Sequence, residues 1–228
     1  MKTSTEERIV AIETGGVTLE GSLAIPELAR GVVLFAHGSG SSRHSSRNRH
    51  VACVLNAARL ATLLIDLLTM DEEEIDSRTA HLRFDIELLA HRLIGATEWL
   101  GNDARTRHLP IGYFGASTGA AAALVAAAEH PDTVGAVVSR GGRPDLAGPA
   151  LADVHAPTLL IVGGDDHPVI ELNRAALAKL RCVKQLMIIE GATHLFEEPG
   201  TLDQVARSAR TWFETHLLAP TPRAATPR

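Results

Sequence analysis

The chain has 228 residues, 45% of them hydrophobic and 4% aromatic, and carries a formal net charge of -5 at pH 7. That is enough apolar material for a substantial core, and the mild acidity argues against the clustered basic surface of a nucleic-acid binder. No apolar run is long enough to cross a bilayer, and the opening MKTSTEERIV has no continuous apolar segment, so no membrane partner and no secretory signal are expected and a cytoplasmic location is.

In chain order, residues 8–13 and 17–24 alternate apolar and polar around Gly15-Gly16, which reads as a half-exposed β-hairpin ended by Pro26. Gly31 to Ala36 is continuously apolar, as a strand buried on both faces should be. It opens onto His37-Gly38-Ser39-Gly40 and a small, polar, basic stretch to His50, read as a loop, and a helix is expected from Val51 to Leu60. Ala61 to Asp66 reads as the next buried strand. Asp71 to Glu74 is an acidic run in a loop, a solvated edge or the first turn of a helix. Leu82, Ile86, Leu89, Leu93, Ala96 and Leu100 then form one apolar helical stripe, stopped by Gly101-Asn102.

Leu109 to Phe114 is an apolar strand that enters Gly115-Ala116-Ser117-Thr118-Gly119, and an alanine-rich helix, Ala120 to Ala128, leaves it. A G-x-S-x-G pentapeptide between strand and helix is the pattern of a nucleophile elbow, a turn so tight that its flanking positions must lack side chains. Further strands are expected at Val134–Ser139, Thr158–Val162 and Val183–Ile189, with helices over roughly 169–180 and 202–217. Strands alternating with helices after a leading hairpin predict an α/β class: a mostly parallel sheet with an N-terminal antiparallel hairpin and helices on both faces. One domain over 1–218 and a disordered tail over 219–228, rich in Pro, Ala, Thr and Arg, are expected. Cys53 and Cys182 each fall in an apolar pattern, so two buried free thiols are expected rather than a disulfide.

In such a sheet the crevice for a ligand lies beyond the carboxyl ends of the strands. The polar clusters just after strands are His37 to Gly40, Ser117, Arg140 to Arg143, Asp165-Asp166 and His194. They supply a hydroxyl, a carboxylate and an imidazole in the chain order Ser, Asp, His. Ser117 needs a neighbouring base to attack a carbonyl, and His194 can take its proton and return it to the leaving group. An aspartate on the other imidazole nitrogen fixes the tautomer, and either Asp165 or Asp166 could serve. The oxyanion needs donors already in place, and the backbone N–H of Thr118 is one candidate. Arg140 and Arg143 after one strand, and Arg43 with Arg47 and Arg49 in the basic loop, are possible anion-binding or steering groups. Asp145 and the acidic run at 71–74 are their competing partners. His167 beside Asp166 is a pair with no third ligand at convincing spacing, so no metal is expected. No lysine follows the glycines at 38 and 40 in P-loop spacing, so no nucleotide cofactor is expected either.

With these residues the chain resembles the small α/β-hydrolases, close in size and layout to the dienelactone hydrolase-like esterases, over about residues 8–217. The resemblance implies an α/β-hydrolase fold. Its Gly-x-x-Asp-x-x-Val pattern matches Gly163, Asp166 and Val169 and favours Asp166 as the acid. It puts the second oxyanion N–H on Ser39, after His37-Gly38, and gives His37 a structural role in that loop. Dienelactone hydrolases proper use a cysteine at the elbow, whereas here it is Ser117, which favours ordinary ester or thioester hydrolysis. Only residues 140–157 separate two successive strands, too few for a cap domain, so an open site roofed by the 40–50 and 68–82 loops is expected. The implied function is a serine hydrolase acting on a small-molecule carboxylic ester through an acyl-enzyme, without cofactor. Thioester hydrolysis or acyl transfer with the same residues, and a non-catalytic small-ligand binder on the same fold, are the alternatives.

Overall fold

A computed structural model of the protein describes residues 6–38 and 40–218. The hairpin forms as expected: β1 (Glu6–Thr14) and β2 (Val17–Ile25) pair without slippage from Glu6↔Ile25 to Thr14↔Val17. Gly15 and Gly16 both take positive φ, 55° and 78°, the requirement of the two-residue turn that matches strand twist. Then follow β3 (Gly31–Ala36), α1 (Ser46–Ala57), β4 (Leu60–Ile65), α2 (Met70–Thr79), a 3₁₀ turn (Leu82–Phe84) and α3 (Ile86–Asn102). The second half is β5 (Ile111–Ala116), α4 (Thr118–Glu129), β6 (Val134–Arg140), a kinked 3₁₀ stretch (Pro144–Asp153), β7 (Thr158–Gly163), α5 (His167–Lys179), β8 (Lys184–Ile189) and α6 (Thr201–His216).

The strands form one eight-stranded sheet in the order β1-β2-β4-β3-β5-β6-β7-β8. β2 is antiparallel to both its neighbours and the pairs from β4 to β8 are parallel. Every residue of β3, β4, β5 and β7 is buried, which is why these strands read as unbroken apolar runs. One face packs under α1 and α6 through Phe35, Phe114, Leu55, Phe213 and Trp212. The other packs under α3 and α4 through Leu34, Tyr113, Leu93 and Leu124. The alanines of α4 are explained by its place: Ala120 to Leu124 are fully buried, and small side chains let the helix sit close to the sheet and to α3.

The structure corrects the expected boundaries in three places. Helix α1 begins at Ser46, inside the expected loop, because the Ser45 hydroxyl accepts the Asn48 N–H and caps it. The 68–82 segment, expected as a loop, holds α2, with Asp71, Glu72 and Glu73 in its first turn. Thr69 and Glu72 form a capping box there, and the acidic residues favour the positive helix end. The long stripe from Leu82 splits into the 3₁₀ turn and α3, whose N-cap is Asp85. The thiols are free, but not both buried: Cys53 is exposed on the outer side of α1 and Cys182 is half-buried. No helix among the described residues is long and apolar enough to cross a membrane, and the expected tail at 219–228 lies outside them.

Candidate active site

Ser117 sits between the last residue of β5 and the first of α4 with φ 51° and ψ -124°, a strained conformation for a residue with a side chain. The surroundings hold it there. Its carbonyl accepts the N–H of Ala120 at 3.1 Å and of Arg143 at 3.0 Å. A Cβ on Gly115 would lie 2.4 Å from Ala120 Cα, and one on Gly119 would lie 2.2 Å from the Ala36 carbonyl oxygen. Both positions therefore require glycine, for want of space rather than for backbone freedom.

Thr118 is the first residue of α4, at the positive end of the helix dipole, where an N–H can face a developing oxyanion. The other expected donor, Ser39, lies outside the described residues. The loop beside it is braced by His37, which is buried at the end of β3. His37 Nδ1 donates to the Gly38 carbonyl at 3.0 Å, and Nε2 accepts the Leu67 N–H at 3.2 Å. These two bonds are compatible with a single neutral tautomer.

At the tips of β7 and β8, His194 Nδ1 lies 2.6 Å from Asp166 Oδ2. Asp166 is mostly buried at the N-cap position of α5, while the imidazole of His194 is part-exposed. Asp165 is exposed, and its backbone N–H bonds the Ala192 carbonyl at 3.0 Å. Of the two adjacent carboxylates, Asp166 is the one the structure joins to the histidine. The loop after His194 is tied down by buried Phe196 and by Glu198, which accepts the Thr193 N–H at 3.1 Å and its hydroxyl at 2.6 Å. The Thr193 hydroxyl is the main reason the Glu198 carboxyl is held below the usual range. Gly141 to Arg143 connects the two halves of the site: a Cβ on Gly141 would lie 3.7 Å from His194 Cε1, and Arg143 bonds the Ser117 carbonyl.

The arginines divide. Arg43 donates to Asp66 and to Glu20, and Arg143 holds Asp145 with two bonds of 2.9 and 2.7 Å. These guanidiniums are engaged by their own chain rather than presented for a substrate, since the bidentate match to a carboxylate satisfies the fork. Arg140 is different: it is 8% exposed, burial together with the charge of Arg47 pushes its pKa down to about 10, and among the described residues its side chain hydrogen-bonds only Asn48, at 3.5 Å.

A narrow cavity of about 20 Å³ lies beside Thr118, lined by His37, Gly38, Leu67, Asp76 and Arg83 among others. Two wider openings adjoin it, one of about 350 Å³ along Leu68, Thr69 and Met70, and one of about 410 Å³ along Ser41 to Arg47. Glu73 lines all three. The 40–47 segment and α2 line these two wider openings, and α2 is ordered as a helix. No group of three or more His, Cys, Asp or Glu that could hold a metal occurs among the described residues.

Sequence reasoning missed Asn48, Asp66 and Asn173. Asn173 is fully buried in α5 and donates to the Gly142 carbonyl at 3.0 Å, holding the segment that links Ser117 to His194. Its signal was an amide one turn from Val169 on an otherwise apolar helix face.

Comparison with known proteins agrees with the fold. Residues 62–217 match the model of the dienelactone hydrolase family. A dienelactone hydrolase from Anabaena variabilis is 64% identical, with a TM-score of 0.91, over 93% of this chain and 99% of that one. Est1E of Butyrivibrio proteoclasticus, solved with ferulic acid bound, shares the fold at 16% identity, with a TM-score of 0.77 over 91% of this chain and 98% of its own. Two Mycobacterium tuberculosis proteins, provisionally named phosphoribosyl transferases, are 60% identical over 93% of this chain. The chain spans 47% of the length of those curated relatives. By family model, identity and fold, the chain belongs to the dienelactone hydrolase family of α/β-hydrolases.

Proposed function

We propose that the protein hydrolyses carboxylic esters of small molecules through an acyl-enzyme on Ser117. The observation that carries this reading is the 2.6 Å contact between His194 Nδ1 and Asp166 Oδ2, with the strained serine at a strand-to-helix turn tied through the 141–143 segment to the same loop. Asp166 accepts the Nδ1 proton and leaves Nε2 of His194 as the base. His194 takes the Ser117 proton as Oγ attacks the ester carbonyl, the oxyanion forms at the Thr118 N–H, and the protonated imidazole passes its proton to the leaving alcohol. Water then repeats the sequence on the acyl-enzyme, with Ser117 as leaving group.

The serine favours esters, and the absence of a cap leaves the crevice open from the 40–47 side. The phosphoribosyl transferase name of the longer relatives belongs, in this reading, to the part of those chains that this one does not span. A fluorophosphonate probe tests the nucleophile. Labelling of the wild type and none of Ser117→Ala is expected; equal labelling of both, or none of the wild type, sinks the reading.

A further inference from the structure

Most of the acidic residues of α2 are matched by arginines. Among the described residues Glu72 meets Arg92, Glu74 meets Arg78 and Asp76 meets Arg83, whereas Asp71 and Glu73 have no ion pair. Of these two, Glu73 lines the narrow cavity beside Thr118 and both wider openings, and Asp71 lines none of the three. The helix itself offers Glu73 no partner: Asp76 and Ser77, three and four positions on, carry no positive charge. The positive end of α2 is already faced by Asp71 and Glu72.

The walls around Glu73 do not neutralise it. The narrow cavity holds Asp76 and Arg83, which pair with each other at 2.6 Å, and His37, whose Nε2 accepts an N–H and so carries no proton. The opening along Leu68 and Met70 holds Arg43, Asp66 and Glu20, one guanidinium shared by two carboxylates. The opening along Ser41 to Arg47 holds Arg47, which meets Glu197. Glu73 and one of the two carboxylates on Arg43 are left over. With the histidines uncharged, the mouth of the site therefore carries two uncompensated negative charges among the described residues. The apolar walls given by Leu67, Leu68 and Leu89 focus that field into the cavity.

The charge stands at the reacting end of the fold. Thr118 follows the nucleophile, and a Cβ on Gly38 would lie 2.5 Å from Ser117 Cβ; both residues line the narrow cavity together with Glu73. That cavity, at about 20 Å³, has room for a group no larger than a water molecule. The bulk of an ester must then lie in the two wider openings, and Glu73 lines both.

We propose that Glu73 receives a cationic group of the substrate, an alkylammonium, and makes the site selective for positively charged esters. An ammonium in the wider openings meets an unpaired carboxylate and an excess of negative charge, whereas an anionic ester meets like charge. The assignment of the cation to a substrate rests on the hydrolase reading; the attraction of a cation to Glu73 does not.

Acetylcholine and 3,3-dimethylbutyl acetate test the proposal, because they share one shape and differ by one positive charge. Titration of the released acid gives kcat/KM for each. In the wild type at low ionic strength the ratio of the cationic over the neutral ester should exceed one. It should fall about fivefold in Glu73→Gln and drop below one in Glu73→Lys, a change of ratio that a general loss of activity or of folding does not produce. Added sodium chloride should compress the wild-type ratio toward that of E73Q. A wild-type ratio of one or less, or a ratio unchanged in both variants, overturns the proposal and leaves the hydrolase reading standing. Magnetic resonance titration with choline and with 3,3-dimethyl-1-butanol gives a readout without turnover. Choline should bind the wild type more tightly than the neutral alcohol, and E73Q should lose the preference. That preference in a wild type that cleaves neither ester keeps the cation site and removes the hydrolase reading, and its absence there overturns both.

Discussion

Asp166 Oδ2 and His194 Nδ1 stand 2.6 Å apart, although 28 residues separate them in the chain. The contact exists because β7 and β8 are parallel neighbours and their tips are tied by bonds from Gly164 to Ile189 and from Asp165 to Ala192. A carboxylate there selects the tautomer in which Nε2 is free to accept a proton.

Asp166→Asn should therefore lower kcat/KM on 4-nitrophenyl acetate by roughly a thousandfold or more, by presenting the wrong tautomer. Asp165→Asn should stay within about twofold, because only its backbone is engaged and surface changes of this kind are close to neutral. Equal losses in both would mean that the acid is shared.

The strain at Ser117 has a thermodynamic consequence. Ser117→Gly relieves a positive φ on a residue with a Cβ, and urea unfolding should show a gain of about 1 kcal/mol, strain relief less the entropy of glycine. A loss of stability would show that the hydroxyl contributes more to the fold than the backbone costs.

Gly119→Ala should cost about 3 kcal/mol or more, since the added methyl meets the Ala36 carbonyl oxygen at 2.2 Å and backbone on both sides resists the shift. Thermal melting measures it. A near-neutral outcome would mean that the β3 tip is looser than the packing implies.

Asp76 anchors α2 over the narrow cavity through Arg83, whose Nε donates to it at 2.6 Å. Burial opposes ionisation of Asp76, but the backbone and side-chain hydrogen bonds of Arg83 and its charge outweigh this and hold the carboxyl below its ordinary 3.8. A depressed folded-state pKa contributes stability that is fully present above the unfolded value and lost as pH falls through the folded one. Asp76→Asn should cost about 2 kcal/mol at neutral pH. Its deficit relative to wild type should shrink as the pH drops below about 4. A deficit that stays constant down to acid pH would remove the ion pair as its cause.

The two thiols should differ in reactivity. Burial raises the Cys182 pKa while Cys53 lies exposed on α1, so iodoacetamide should modify Cys53 first, as peptide mass mapping with time would show. Faster modification of Cys182 would contradict the packing around β8.

The sequence by itself determined the elements that depend on local pattern. Buried parallel strands must be apolar throughout, so β3, β4, β5 and β7 could be read within two residues, and the paired glycines at 15 and 16 dictated the hairpin turn. Ser117 was legible because a tight elbow forces glycine on both sides, and His194 because of its place after the last strand. Helix starts were less legible: α1 depends on one serine cap and α2 on a capping box, which a run of polar residues conceals. Whether an arginine meets a carboxylate of its own chain was decided only by tertiary structure. Arg43, Arg140 and Arg143 look alike in sequence, but among the described residues Asp66 and Glu20 reach the first, Asp145 the last and no carboxylate the second. The same holds for Asp165 and Asp166, which differ by one position along the chain. The direction each side chain takes at the end of β7 settles which of them meets His194, and that direction is a property of the packed sheet.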